Sequence, residues 1–415
     1  MSDEARIGPV RRRRLLFLLP FPPRLDGTHG GTRVSASIIA ALSLHHEIAL
    51  LYLRGDDEAS VDERIASRCS VVEEVKRGGG GRLSSPFRRV FAPLFGVPKW
   101  ASFTWSPLMA ASVARLARTF RPDVVHFEYH VMGQYATALP KMAAPRVLTE
   151  YEPGIMAAHE HMAASLGLWD VRSWIERRAW LKFERRVIAG VDAVIVFTNR
   201  DREALLAHAG TTPVVCIPFR VSLSPTAPEN SADSDAARLL FVGNFVHPPN
   251  IDAAMRLVDG IFPGVRARVP EATLEIVGAN PPAQLQVNPG KGVRVTGPVP
   301  DVGPYLERAT LVVVPIRQGG GMRVKVIESL AAGKAVVASP RAVDGLGVED
   351  GVHLALADSD SEFVDVITTL LGDTDRRRRL SSAAREWARA SQDLLPWTAQ
   401  YEALYESLDR ERRGT

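Results

Sequence analysis

The chain has only two cysteines in 415 residues, Cys69 and Cys216, and no CxxC pair or Cys/His cluster. Neither a disulfide framework nor a structural zinc site is supported, and a reducing, cytoplasmic compartment is the expected setting. Long hydrophobic runs are missing as well. The run Leu15–Leu19 follows four arginines, Arg11–Arg14, but stops at Pro20, with Pro22 and Pro23 beyond it. It is too short to cross a bilayer and has no small-residue cleavage site, so it reads as a buried strand reached from a charged tail. Nor does one sign of charge dominate. The 51 Lys and Arg against 47 Asp and Glu leave +4, too little to imply a nucleic-acid partner.

What is present is a β/α rhythm. With 46% hydrophobic residues the chain can bury two ordinary cores. Short runs rich in Val, Ile and Leu occur at Leu15–Leu19, Ile48–Leu53, Val124–Phe127, Val147–Tyr151, Val194–Phe197 and Val214–Pro218. Runs apolar on consecutive positions suit parallel strands covered on both faces. Between them, Val34–Leu44, Ser106–Phe120 and Trp174–Ala189 have helical spacing. Ser222–Ala236 turns to Ser, Pro, Ala, Asp and Glu without apolar periodicity, as a linker would.

A second series then begins: Leu239–Val242, Leu274–Val277, Val293–Thr296, Leu311–Pro315, Ala335–Ala338 and Val352–Leu356. The division this predicts is an N-terminal domain over 1–221, a linker over 222–236 and a C-terminal domain over 237–390. A helix over 391–415 would pack back on the first domain. Two Rossmann-like α/β domains in series put the functional cleft between them, at the carboxyl ends of the strands.

The stretch from Gln318 to Val337 carries the most chemistry. Gly319, Gly320 and Gly321 follow a strand and let backbone N–H groups approach an anion, and a helix opening near Arg323 points its positive end the same way. Arg323 and Lys325 add two cations at that mouth. Glu328 lies five residues past Arg323, where a carboxylate can accept hydrogen bonds from a ribose diol. Gly333 then stops the helix. A plain glycine turn with a solvated glutamate would need none of these groups to coincide.

This stretch resembles the donor motif of retaining glycosyltransferases of family four, in the subgroup with a GGGxRxKxxE pattern. Other landmarks agree in order: His29-Gly30-Gly31, Asp123-Val124-Val125-His126, Phe241-Val242-Gly243-Asn244, His247-Pro248-Pro249-Asn250, Ile276-Val277-Gly278, and Gly297 followed by Asp301 and Tyr305. The resemblance implies the GT-B fold, a nucleotide-sugar donor and a sugar or lipid-linked acceptor. It also implies retention of anomeric configuration, with the departing phosphate assisting deprotonation of the acceptor, and a role in polysaccharide or glycolipid assembly. Donor contacts would come from Gly243, Asn244, Gly319, Gly320, Gly321, Arg323, Lys325 and Glu328. Catalysis would rest on Glu328, Arg323, Lys325 and His126, with Gly30 and Gly31 as an acceptor or phosphate loop.

The sequence also departs from the family pattern. An E-x7-E motif would place its first Glu at position 320, which is glycine. An Arg and a Lys are usual at the positions held here by Asn244 and Asn250, so Arg323 and Lys325 are the expected substitutes for the diphosphate's cations. Glu128, Glu150, Glu152 and Asn250 are weaker candidates. No metal or other cofactor is expected: Asp358-Ser359-Asp360 precedes a helical stretch and reads as an N-cap, and Gly78–Gly81 reads as a loop. A sugar-nucleotide epimerase of the same architecture and a non-catalytic binding subunit stay open as alternatives.

One surface feature is separate. Arg82, Phe87-Arg88-Arg89-Val90-Phe91, Leu94-Phe95, Lys99-Trp100, Phe103 and Trp105 interleave basic and bulky apolar side chains. Such a mixture suits peripheral contact with an anionic membrane face, while Pro86, Pro93 and Pro98 break up any long amphipathic helix.

Overall fold

The computed structural model describes residues 11–27, 30–77, 91–139, 144–154, 171–219, 236–287, 290–299, 301–319, 324–391 and 394–414. The Gly78–Gly81 loop, His29, Arg82–Val90, Gly320–Arg323 and all but the last residue of Ser222–Ala236 lie outside these.

Seven parallel strands form the first sheet in the order β3-β2-β1-β4-β5-β6-β7. They are β1 (Arg14–Leu19), β2 (Glu47–Arg54), β3 (Val71–Lys76), β4 (Val124–Glu128), β5 (Arg146–Glu150), β6 (Ala193–Val196) and β7 (Val214–Cys216). β1 pairs with β2 on one side and β4 on the other, Phe17 standing beside both Leu50 and His126. The reversal of strand order at β1 opens a crevice above its carboxyl end. β3 is the strand that the apolar runs do not announce. It is an edge strand, reading VVEEVK, and of its six residues Val75 alone is buried, so only one face needs to be apolar.

The second sheet is also parallel, in the order β10-β9-β8-β11-β12-β13. Its strands are β8 (Arg238–Val242), β9 (Thr273–Val277), β10 (Val293–Val295), β11 (Leu311–Val314), β12 (Ala335–Ala338) and β13 (Ala355–Leu356). Each of the six apolar runs from Leu239 to Leu356 overlaps one of them, with β8 and β9 starting one residue ahead of their runs. Here β8 stands at the switch point, next to β9 and β11. Each sheet has its own apolar core.

Helix ends follow local chemistry. Ser106 caps the helix Pro107–Thr119 by accepting the Met109 N–H. Ser359 and Glu362 form a capping box at the helix Asp360–Gly372, so the DxD-like Asp358-Ser359-Asp360 is a helix start. Asp360 instead receives the Arg256 guanidinium at 2.6 Å.

The last helix, Leu394–Gly414, returns to the first sheet. Its Trp397, Tyr401, Leu404, Tyr405 and Leu408 belong to the first core. Trp397 donates to the Pro218 carbonyl at 2.6 Å, and Glu402 meets Arg13 at 2.6 Å and His46 at 2.5 Å. Among the described residues, no helix is long and apolar enough to cross a membrane.

Candidate active site

The glycine-rich stretch leads from β11 into the helix Val324–Ala331. Four of its residues decide where that helix sits. Val324 and Ile327 belong to the core of the first sheet, Val326 and Leu330 to that of the second. A helix apolar on two sides is buried between two bodies, so its polar positions open on the space between the sheets. Gly333, at φ +64°, ends the helix before β12. A side chain there would strike Arg385, and the left-handed conformation itself favours glycine.

Lys325 turns towards the second sheet. Its ammonium donates to the Asn250 side-chain oxygen and lies 4.9 Å from the centre of the Phe241 ring. Asn250 in turn donates through Nδ2 to the Asn244 carbonyl at 2.7 Å, and Asn244 Oδ1 accepts the Val246 N–H at 3.1 Å. The position usually held by a lysine in the resembling family thus has an ammonium beside it, delivered from the neighbouring helix. His247, at the start of the helix Pro248–Met255, is held below the usual histidine range by burial and by Lys325.

The turn after β8 is tightly built. Gly243 donates to the Val277 carbonyl at 3.0 Å, and Phe245 to that of Ala279 at 2.9 Å. Gly278 presses on Gly243 so closely that a Cβ would fall 1.8 Å from the Gly243 carbonyl oxygen. Only glycine allows that approach. Gly319, at φ +98°, stands against Pro249, bringing the motif loop to the same turn. Gly320, Gly321 and Arg323 lie outside the described residues.

Glu328 turns the other way. One oxygen takes the Nη1 of Arg33, which comes from the first domain's helix Gly30–Leu42. Burial raises the Glu328 carboxyl above the usual carboxylate range, while Arg33 and Lys325 pull in the opposite direction. The glycine pair Gly30-Gly31 is helical, and neither residue has a positive φ. Gly30 and Gly31 are the first residues of that helix, and Ser35 donates its hydroxyl to the Gly31 carbonyl at 2.9 Å. Helix-terminal N–H groups therefore face the cleft without a left-handed turn.

His126 is not brought to this cleft. It is fully buried, stacked on Phe17 with ring centres 4.5 Å apart, and its Nε2 shares a hydrogen bond with Tyr405 at 2.8 Å. The last helix covers it. A ring enclosed in this way packs the interior and touches no substrate, which corrects the catalytic expectation for His126.

Glu128 is also interior, accepting from Thr149 at 2.9 Å and from Tyr151 at 2.6 Å. Tyr151 reaches Ser35 at 2.7 Å, tying Glu128 to the helix that carries Arg33. Glu150 lies against His130 at 2.8 Å. Burial pushes its carboxyl well up and His130 down to about 4, since an apolar interior disfavours the charged form of each. Glu152 is half-buried at the end of β5.

Sequence reasoning missed Arg33. The available signal was its position two residues after Gly31, on the first turn of a helix whose N-terminus faces the cleft.

Two family models match the chain. Residues 29–223 match the model described as Glycosyltransferase Family 4, and residues 236–373 match Glycosyl transferases group 1. Between them they run from the first helix to the helix after β13, so that β1 is the one strand of the two sheets outside the matches. The chain is a GT-B glycosyltransferase of the family-four type.

Solved structures agree on the fold of this glycosyltransferase. Sucrose-phosphate synthase from Thermosynechococcus elongatus is 18% identical with a TM-score of 0.71, over 96% of this chain and 100% of that one. Anabaena HepE, solved with UDP and glucose, is 14% identical with a TM-score of 0.67, over 95% and 100%. TarM is 12% identical with a TM-score of 0.69, over 96% and 100%, and an S. aureus TarM variant has been solved with UDP and a GlcNAc-glycerol. No curated protein sequence matches the chain.

Proposed function

We propose that this glycosyltransferase moves a sugar from a nucleoside diphosphate donor to an acceptor hydroxyl, with retention, in polysaccharide or glycolipid assembly. The observation that carries the donor reading is the motif helix. It offers a carboxylate, Glu328, and an ammonium, Lys325, within one turn, and the ammonium is braced at the β8 turn by Asn250. A ribose diol suits the first and a diphosphate the second. The solved HepE complexes with UDP, glucose and UDP-glucose support a UDP-sugar as the first donor to try.

In this reading the diphosphate sits at the start of the motif helix, among Gly319, Gly320, Gly321, Arg323 and Lys325, with Gly243 and Asn244 beneath it. Negative charge grows on the leaving diphosphate as the glycosidic bond breaks. Donors already aimed at that charge lower the barrier without reorganising. Cationic side chains then do the work a metal ion would do, and we propose no metal or other cofactor. Gly30 and Gly31 present N–H groups from the opposite side. The acceptor's proton passes to the departing phosphate.

We also place the enzyme against an anionic membrane, on its cytoplasmic face, where it would meet a lipid-linked acceptor. Leu94, Phe95, Phe103, Trp105, Leu108 and Trp174 are exposed on the first domain, with Lys99, Arg178 and Lys182 among them. The segment is fastened to the helix Val171–Ile188, since Glu176 accepts the Lys99 N–H at 2.9 Å and a depression of about 260 Å³ is lined by Leu94, Trp174, Arg178 and Lys182. Rings in the interface and cations at lipid phosphates would use such a face.

Thermal-shift screening with nucleoside diphosphates and nucleotide sugars, followed by product analysis with and without an added acceptor, tests the reading. A ligand bound only by the folded state raises the melting temperature. Transfer that requires an acceptor supports it. Isomerised donor produced without an acceptor would support an epimerase instead. Tight binding with no turnover on a broad acceptor set would favour a binding subunit.

A further inference from the structure

We propose that Arg33 is a donor-binding residue of the first domain, held on Glu328 in the free enzyme and transferred to the donor's diphosphate when the ribose takes Glu328. This rests on the donor reading above.

The Glu328 carboxylate is already half taken in the free enzyme. Arg33 occupies Oε1 of Glu328 through Nη1. A ribose presents two neighbouring hydroxyls, and a carboxylate accepting from both uses both oxygens. Each carboxylate oxygen has two acceptor sites, so the conflict is one of space: the Arg33 guanidinium on Oε1 stands where one ribose hydroxyl has to approach. A guanidinium displaced into a half-buried space needs another anion nearby, because an unpaired charge there is costly. Arg33 and Glu328 are each only about one quarter exposed.

The diphosphate supplies that anion. Glu328 lies four residues into the motif helix from Val324, which at 1.5 Å per residue is about 6 Å from the helix mouth. A guanidinium released from Glu328 needs to move little more than that to meet a phosphate at the mouth. Arginine is suited to the task, because its five N–H groups pair with phosphate oxygens two at a time. Among the described residues its Nε has no hydrogen-bond partner, so the side chain has donor capacity that the Glu328 pair does not use.

The exchange would also bring the first domain into donor recognition. Arg33 stands on the helix that begins at Gly30 and Gly31, whereas Lys325 and Glu328 stand on the motif helix. A donor gripped from both sides aligns the acceptor-side domain with the reacting sugar. Free nucleoside, lacking phosphates, would displace Arg33 without giving it a new partner.

Calorimetric titration of the full-length enzyme with UDP and with uridine tests this, with GDP/guanosine and ADP/adenosine pairs included to find the base it prefers. The titrations are repeated at several pH values, because burial raises the Glu328 carboxyl above the usual range. Arg33→Ala is expected to weaken diphosphate binding about ten- to hundredfold, the range for a lost charge-assisted hydrogen bond. Nucleoside binding should stay the same or tighten, because the competitor for Glu328 is gone. Arg33→Lys keeps a charge without the paired donors and should fall between Arg33→Ala and the wild type.

Equal weakening of diphosphate and nucleoside by folded Arg33→Ala would overturn the assignment, since Arg33 would then only hold the domains together. Unchanged binding of both ligands would overturn it too. If the wild type binds no diphosphate at all, the donor reading itself fails, which is a different result from either of these.

Discussion

The Lys325 ammonium donates to the side-chain oxygen of Asn250, while Asn250 donates through its nitrogen to the backbone carbonyl of Asn244. A cation on one element is thus anchored to the strand-end turn of another. The anchoring fixes where positive charge can meet a diphosphate, and the anchor can be removed separately from the charge.

Lys325→Ala should therefore weaken nucleoside diphosphate binding much more than nucleoside binding, by about ten- to hundredfold. Asn250→Ala keeps the charge but frees its position and should cost less, in the same direction. In a double-mutant cycle the two losses should fall short of additive, as expected for groups that act together. Fully additive losses would mean that Asn250 does not position Lys325.

Burial of His126 beneath the last helix gives a separate test. Tyr405→Phe leaves the His126 Nε2 enclosed without its partner, and an unsatisfied buried group costs about 1–3 kcal/mol. Chemical denaturation should register that loss, and turnover by the folded variant should be unchanged. A large fall in turnover with stability intact would return His126 to the chemistry.

Much of this molecule was legible because parallel strands covered on both faces are written as unbroken apolar runs. β11 and β12 stand inside the runs expected for them, β8 starts one residue ahead of its run, and the motif helix starts and stops beside its glycines. The edge strand β3 escaped because only one of its faces is covered, which leaves VVEEVK looking half polar. Glu328 and Lys325 were readable from local spacing. The neighbours of Glu328 and His126 were not, since Arg33 and Tyr405 lie 295 and 279 residues away in sequence. Such contacts follow from how two domains and a returning helix meet, which no local pattern records.

Lys334 is nearly fully buried, donating to the Glu307 carbonyl at 2.6 Å and the Ala309 carbonyl at 3.0 Å. Burial lowers it to about 8. Between that value and the ordinary lysine range the unfolded chain binds the extra proton, so Lys334 contributes a stability that rises with pH there, against the opposite contribution of the raised Cys69 and Cys216 thiols. The measurement belongs between about pH 8 and the onset of tyrosine ionisation near 10, because raised tyrosines act in the opposite sense beyond it. Lys334→Met should make the slope of stability against pH more negative than that of the wild type; an unchanged slope would mean that Lys334 does not contribute.

Co-sedimentation with vesicles tests the membrane face. The wild type should bind anionic vesicles at low salt, release as salt rises, and ignore neutral ones. Phe95→Ser with Phe103→Ser, or Arg88→Ala with Arg89→Ala, should weaken binding while leaving turnover on a soluble acceptor intact. A wild type that stays in the supernatant with anionic lipid at low salt would point to a soluble acceptor.

If the motif helix holds the donor, Glu328→Gln shows it most directly. The substitution keeps the shape and removes the charge, so a folded variant should lose about 1.5–3 kcal/mol of interaction with the ribose. With the donor found by screening, kcat/KM for sugar transfer should fall about ten- to hundredfold. A folded Glu328→Gln enzyme with wild-type donor affinity and wild-type turnover would contradict the account.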